Sequence, residues 1–529
     1  MTSERTLQSN ADHTATSIGL PDKSLQRVLE RLRHWAQMTP EAAALYDASC
    51  SINYAALERA IDEIAAHMRA RGVGSGDRVL IVAENNIAAV ATMFAVQTLD
   101  AWPAVVNARL PATEMAELRN LVAPRLVVFA VADSVASEQH AIDAGAILED
   151  GLLAGPLAFA ATNHETTPEV ETSSPEQRVG LLIFTSGTTG RPKAVMLGHR
   201  GLTSLGAILA RSRRVSATDC YNGVAPLAHI MGIANLMSII TVGASLRLMP
   251  RLDVPQLAAA IADGGISHLS FVPTVYSRLL DYIDAQNIDV SDHRMRYISC
   301  GGAPLDATLQ SRVQSRFGIP LVNGYGMTEC APGTRTRGDR YSEPGSIGYP
   351  EEGVEARIVD PDGGDVAADE IGELWLRTPT AMLGYYRDPV ATAAAVRLGG
   401  WIATGDLARR LDNGELAIVG RQKEMIIHSG FNVYPAEVEA ALNSLPEVAV
   451  SGVVGLRQID GDEQVVAFVE LRPGCDGDAA AMSAALRQRI ASYKCPNRIV
   501  FLERLPQGAT GKIWKAELAR MASELVIRS

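Results

Sequence analysis

Thr185-Ser-Gly-Thr-Thr-Gly-Arg-Pro-Lys193 follows directly on the apolar run Leu181–Phe184. Such a segment can hold a polyphosphate. Gly187 and Gly190 let backbone N–H groups come close to an anion, and the hydroxyls of Thr185, Ser186, Thr188 and Thr189 donate to its oxygens. Lys193 supplies the countercharge. It is not the usual P-loop: the spacing from Gly187 to Lys193 differs, and Ala194 stands where a hydroxyl would bind magnesium. A flexible Ser/Thr/Gly linker has the same composition. The ordered Pro-Lys ending and the tie to an apolar strand favour the phosphate loop.

Two further runs suit a nucleotide. In Asn323-Gly-Tyr-Gly-Met-Thr-Glu329, Tyr325 lies between Gly324 and Gly326 and offers a face on which a base can stack. Thr328 can donate to phosphate, and Glu329 is a hard oxygen ligand suited to Mg²⁺ beside phosphates. In Trp401-Ile-Ala-Thr-Gly-Asp406 the carboxylate can accept both hydroxyls of a ribose. Taken alone, the first is also a turn with a core tyrosine, and the second a turn or helix cap.

Read in order with Gly420-Arg-Gln-Lys-Glu-Met425 and Pro506-Gln-Gly-Ala-Thr-Gly-Lys512, these runs resemble the AMP-forming acyl-CoA synthetases of the adenylate-forming superfamily. The resemblance extends from about residue 25 to residue 525. It implies an enzyme that converts an organic carboxylic acid, fatty or aromatic, to acyl-AMP with ATP and Mg²⁺. The acyl group then passes to coenzyme A, giving acyl-CoA, AMP and diphosphate.

The resemblance also assigns roles. The 185–193 loop would hold the β- and γ-phosphates. Gly301, Gly302, Ala303 and Pro304 would lie along the adenine, with Asn323 and Gly324 beside them and Tyr325 stacked on it. Thr328 would meet the α-phosphate, Glu329 the metal, and Asp406 and Arg421 the ribose. Lys512 would bridge the acid's carboxylate and the α-phosphate. His229, in Pro226-Leu-Ala-His-Ile-Met-Gly232, would line the acyl pocket near the thioester-forming face.

The expected domains are a polar tail (1–25), an ATP- and acyl-binding domain (26–419) and a mobile C-terminal domain (420–529). The last would turn about a hinge near Lys423, inserting Lys512 for adenylation and withdrawing it for thioester formation. Ser429, Gly430 and Phe431 would then line the pantetheine tunnel, Gly430 because a residue without Cβ lets the thin arm pass.

This sequence departs from the family's pattern where Ala194 replaces a common glycine. Ile427 and Asn432 stand where plant coumarate-type ligases carry Lys and Gln, so those acyl-AMP contacts do not carry over. The pocket residues implied are Ala228, His229, Gly232, Phe271, Thr274, Cys300, Gly302, Ala303, Val322 and Cys330, mostly small and apolar, leaving room for an aryl ring or alkyl chain. Arg335 and Arg337 suit a second anionic group on the acid, a dicarboxylate or sulfonate, against the plainer reading of a solvated loop. An adenylating enzyme that loads a separate carrier protein would show the same motifs, and so would a nucleotide-binding regulator. Presence of both Lys512 and Glu329 argues against the regulator.

The rest of the chain must position these groups. Its 529 residues carry 48 Lys+Arg against 60 Asp+Glu, a net charge of −12 that disfavours nucleic acid as a partner. The segment 420–529 has 13 of each sign, so the whole excess lies before it. Six cysteines without a CxxC pair suit a reducing compartment, and with no secretory signal visible the expected location is the cytoplasm, as monomer or homodimer. Cys300 and Cys330 read as small hydrophobes, since neither has a basic neighbour. The uncharged stretch Tyr221–Leu246 contains Asn222, Pro226, His229 and Asn235, which suit a buried strand–loop–helix and not a membrane span.

Leu57, Ile61, Ile64 and Met68 make the stripe of a helix over 55–70, followed after Gly72, Gly74 and Gly76 by a strand over 78–83. More apolar strands are expected at 104–106, 126–131, 180–184, 269–272 and 296–299, with helices between most of them. That pattern gives an α/β fold of helix-covered parallel sheets. Short strands and turns from about Gly345 to 419 predict a smaller β-rich subdomain. A small α+β unit follows, ending in a helix over 513–525.

Overall fold

Two sheets with helices between them account for most of the apolar runs. The computed structural model describes residues 27–48, 50–174, 177–186, 192–338, 343, 345–458, 462–507 and 513–527. The eight-stranded sheet is centred on Arg78–Ala83, which pairs in parallel with Trp102–Asn107 and Leu126–Ala130. All six residues of that central strand are buried, which is why it reads as an unbroken apolar run. In the fourteen-stranded sheet, Cys220–Gly223, His268–Phe271, Tyr297–Gly301 and Leu321–Tyr325 run parallel.

The β-rich region is not a separate sheet. Thr334–Arg335 and Ser346–Pro350 continue the pairing antiparallel from Leu321–Tyr325 to Leu416–Arg421, Trp401–Arg410, Gly372–Arg377 and Glu355–Val359. It keeps its own small core around Leu374, Leu376 and Ile402, so texture marked the change of packing and missed the continuous hydrogen bonding.

The helices Val28–Met38, Tyr54–Ala70, Ile87–Thr98, His199–Ser212 and Ile230–Val242 share one core with the inner faces of both sheets. Leu57, Ile61, Ile64 and Met68 are all buried there, as their spacing predicts. The uncharged stretch becomes a strand, a loop and the helix Ile230–Val242, and among the described residues no helix is long and apolar enough to cross a membrane.

Val254–Ala262, Pro273–Gln286 and Ala307–Phe317 cover the outer face of the larger sheet. Phe271 and Cys300 belong to this outer core, and Cys330 to the core of the β-rich region. The three were expected in an acyl pocket. Because successive strand residues face opposite ways, it is their neighbours Ser270 and Ser299 that face the helical layer. Both cysteines are buried and burial raises their thiols well above the ordinary range, so they are the inert small hydrophobes expected.

Beyond Leu416–Arg421 the strands Val448–Arg457, Glu463–Leu471 and Arg498–Leu502 form a three-stranded sheet. The helices Pro435–Asn443, Ala479–Arg487 and Lys515–Ile527 complete an α+β unit with its own cores.

Two buried histidines make the fold sensitive to acid. Burial holds His199 down at about 3 and His268 at about 4. His268 is stacked between Tyr221 and Tyr297, with Nδ1 2.9 Å from Ser267 Oγ and Nε2 donating to Arg213 O at 3.1 Å. Each stays neutral in the fold but takes a proton near pH 6.5 when unfolded. Stability is therefore expected to fall as pH drops below 6.5, by about 2 kcal/mol per histidine between pH 7 and pH 5. Urea midpoints at the two pH values check this, and His268→Gln should remove about half of the difference.

Candidate active site

Gly301 and Gly324 sit side by side at the carboxyl ends of Tyr297–Gly301 and Leu321–Tyr325, where parallel sheets bind ligands. A Cβ on Gly301 would lie 2.7 Å from Gly324 O, so glycine is needed for the two strands to approach. Gly302 (φ +76°), Ala303 and Pro304 then form an accessible lip. Asn323 is placed differently from the role implied for it. Its side chain is buried, donating to Ser346 O at 2.9 Å and tying the antiparallel extension to the parallel strands.

Tyr325, Asp406 and Arg421 come together from three strands. The Tyr325 hydroxyl donates to Asp406 Oδ2 at 2.6 Å, and Arg421 Nε donates to Oδ1 at 3.1 Å. Asp406 and Arg421 are cross-strand partners, so the pairing of Trp401–Arg410 with Leu416–Arg421 itself sets this contact. Thr404 Oγ1 accepts from the Asp406 N–H at 3.1 Å, and Gly405 turns the strand at φ +71°. Burial, the Asp406 charge and the hydrogen bond to it raise the Tyr325 phenol well above its ordinary range, keeping it a neutral donor.

The glycine–hydroxyl run is the tip of a β-hairpin. Val179–Ser186 and Pro192–Gly198 pair antiparallel, with Thr185 opposite Lys193 and Ser186 opposite Pro192. The nine-residue loop expected from sequence thus has two paired rungs as its stem. Its remaining members, Gly187, Thr188, Thr189, Gly190 and Arg191, lie outside the described residues, as does Lys512.

Lys193 Nζ sits 4.6 Å over the ring of Tyr385, and the Tyr385 hydroxyl donates to Glu329 Oε1 at 2.7 Å. Tyr385 belongs to the short strand Gly384–Tyr385, which pairs with the returning strand of the hairpin. It had no signal in the sequence. Glu329 and Thr328 are buried, and Glu329 Oε2 takes no hydrogen bond among the described residues. Partial desolvation, the Arg421 charge and, more weakly, Lys193 hold the Lys423 ammonium below the usual lysine range.

His229 caps the helix Ile230–Val242, its Nδ1 accepting from Met231 N at 3.4 Å. The loop before it is clamped by Asn85, another residue the motifs do not reveal. Asn85 donates to Gly223 O at 2.7 Å and Ala225 O at 2.9 Å, and accepts from Leu227 N at 2.9 Å. Gly232 is fixed by packing: a Cβ there would fall 2.2 Å from Pro226 O.

Ser429 and Gly430, both with positive φ, form the two-residue turn joining Ile426–His428 to Phe431–Val433. A Cβ on Gly430 would meet open space, so its turn conformation, and not a close approach, is what calls for glycine here. Phe431 stacks on Tyr493 with centroids 4.6 Å apart. Lys515 bridges Glu424 (3.0 Å) and Glu439 (2.9 Å), tying the last helix to the 3₁₀ turn Gln422–Glu424 that follows Arg421.

A nucleotide-binding enzyme of two parts is the class that this fold and site define. The model of the AMP-binding enzyme family matches residues 32–386, and the model of that family's C-terminal domain matches 437–512. A feruloyl-CoA synthase of an Amycolatopsis species is 33% identical over 494 residues, covering 92% of this chain and 97% of that protein. The 2-succinylbenzoate–CoA ligase of Geobacillus kaustophilus is 33% identical over 499 residues, covering 93% and 97%. The crystal structure of ATP-bound MatB from Rhodopseudomonas palustris superimposes with a TM-score of 0.82 at 27% identity, covering 94% of this chain and 99% of that one. The chain belongs to the AMP-binding enzyme family.

Proposed function

We propose that this enzyme activates an organic carboxylic acid with ATP to acyl-AMP and passes the acyl group to coenzyme A, releasing diphosphate and then AMP. The observation that carries the reading is the pairing of two constellations. The bonded triad Tyr325–Asp406–Arg421 suits a ribose, and the Lys193–Tyr385–Glu329 line beside the hairpin suits the phosphates. A carboxylate that attacks an anionic phosphate needs its repulsion neutralised and its approach aligned, and little covalent help. Lys193, Arg421 and Lys423 supply fixed cations for this, with Lys512 as the bridge between the acid and the α-phosphate.

Magnesium fits Glu329: a buried carboxylate with one oxygen held by Tyr385 and the other open is a single protein ligand, the number often used beside substrate phosphates. Bound there, the ion would neutralise phosphate charge. Tyr385→Phe is expected to raise the Mg²⁺ concentration for half-maximal ATP binding about tenfold, since a hydrogen bond to a charged group is lost. A Mg²⁺ titration of nucleotide binding, with no acid present, reads this. An unchanged midpoint would leave Tyr385 as a packing residue.

Residues 420–529 form the moving unit in this reading, hinged at Lys423 and carrying Lys512 in and out, with the Ser429–Phe431 turn meeting pantetheine. The acid is bulky and apolar near its carboxylate, and aromatic acids are the first class to test, as the names of the two relatives suggest. A second carboxylate held by Arg335 and Arg337 has less support. Arg335 is paired with the buried Glu351 at 3.1 Å, and Arg337 lies over the Tyr349 ring at 5.1 Å.

Diphosphate release with Mg²⁺ and ATP, across fatty acids, benzoates, hydroxycinnamates and dicarboxylates, with and without coenzyme A, tests the proposal. Release with coenzyme-dependent thioester supports it. Release without thioester points to a carrier protein as acceptor, and silence with ATP still bound would overturn it.

A further inference from the structure

The inner faces of the central parallel strands are small where the site opens and polar where the strands begin. Ser270 and Ser299 face the helical layer as cross-strand partners, their hydroxyls 3.2 Å apart. Val322 stands next to Ser299, and Gly301 and Gly324 form the rung at the mouth. These small residues make a floor on the side of the helical layer to which the helix Ile230–Val242, capped by His229, belongs. Followed back from Gly301, the same face ends at Tyr297, four residues and ~13 Å away at the usual strand rise. Tyr297, His268 and Tyr221 line up there as stacked rings.

At that end one buried donor is left without an acceptor, beside a cation without a counterion. Asn235, on the helix Ile230–Val242, is 1% exposed, and its Nδ2 has no hydrogen-bond partner. Its Oδ1 accepts from Arg213 Nη1 at 3.0 Å, and the same nitrogen is 3.4 Å from the Tyr221 hydroxyl. Arg213 forms no ion pair among the described residues, because the nearby carboxylates are engaged: Asp219 with Arg296 at 3.0 Å, Glu351 with Arg335 at 3.1 Å. Interiors seldom leave an amide donor unpaired beside a guanidinium with no counterion. Such a pair is suited to an oxygen brought in by a ligand.

We propose that Asn235 and Arg213 are specificity-determining residues: the acid lies along the Ser270–Ser299 floor and presents a hydrogen-bond-accepting oxygen at its far end to the Asn235 amide and the Arg213 guanidinium. The inference rests on the acid-activating reading above and names the class of acid, a rigid apolar body with a carboxylate at one end and a carbonyl, hydroxyl or ether oxygen at the other. Discrimination follows from the site itself. An acid lacking that oxygen leaves the Asn235 amide buried and unpaired and Arg213 without a further acceptor, and such sites reject analogues far more strongly than apolar pockets do.

The test compares 3-(4-oxocyclohexyl)propanoate with 3-cyclohexylpropanoate, acids of one skeleton that differ in the distal oxygen, by diphosphate release from the full chain. The keto acid is expected to have the higher kcat/KM by roughly a hundredfold, mostly through KM. Asn235→Leu should carry that ratio toward one. A wild-type ratio near one would overturn the proposal without any variant being needed. So would an Asn235→Leu protein that loses activity on both acids in proportion, which marks a structural role. Should Asn235→Leu fail to fold, Arg213→Lys gives the same comparison of ratios. Activity with other acids but equal treatment of this pair would sink the inference and leave the ligase reading standing. Silence with every acid would remove both.

Discussion

Replacing Lys512 with alanine is expected to lower acid-dependent diphosphate release by roughly a thousandfold or more, the scale seen when a preorganised charge is removed from a reacting anion. Attack of coenzyme A on acyl-AMP supplied from outside should be largely spared. The asymmetry follows from the charges of the two steps. In the first, a carboxylate must reach a phosphate that is itself anionic, and a cation between them lowers the repulsion. In the second, the acyl carbon is already activated and AMP leaves. The flanks of the position support a placed lysine: Gln507 bridges to Ile513, and Lys515, three residues beyond, is held by Glu424 and Glu439. Diphosphate release and thioester formation, measured separately, check it. Equal loss in both half-reactions would contradict the proposed motion of residues 420–529.

Asp406→Ala should be the next most damaging change, raising the KM for ATP by about a hundredfold while the KM for the acid moves little. The carboxylate organises two partners, accepting from the Tyr325 hydroxyl on one oxygen and from Arg421 on the other. Without it, the buried phenol loses its acceptor and Arg421, about half exposed, turns toward solvent. Asp406→Asn keeps the shape and an oxygen for one partner, so its defect should be smaller. Binding of ATP and of acyl-AMP, measured directly, separates this from a general loss of folding. Unchanged nucleotide affinity in Asp406→Ala would place the ribose elsewhere.

Local chemistry was the legible part of this site. The hydroxyl–glycine run, Glu329, Asp406 and Arg421 stand in short stretches whose composition has few other uses. The helix over 54–70 was legible from its apolar stripe. What stayed hidden depends on register. His268–Phe271 and Tyr297–Gly301 are so short and so buried that no alternation marks which residues face inward. Phe271 and Cys300 were accordingly expected in the pocket, yet they face the outer core, and Ser270 and Ser299 face the helical layer. Tyr385 and Asn85 reach the site across long sequence separations, from a two-residue strand and from the turn after a buried one. Neither has a motif because each acts by where the fold brings it.

The antiparallel stem beneath the hydroxyl–glycine tip also bears on how the chain tolerates insertions and deletions. Thr185 stands opposite Lys193, and the returning strand is gripped on its far side by Gly384–Tyr385, so it is held on two edges. A residue gained or lost within the stem would turn Lys193 from one face of the sheet to the other and break both sets of pairing. A residue gained or lost at 187–191 leaves the rungs in step. Changes of length around this hairpin are therefore expected to be tolerated only at 187–191, and libraries that vary those residues keep the rungs that carry Lys193.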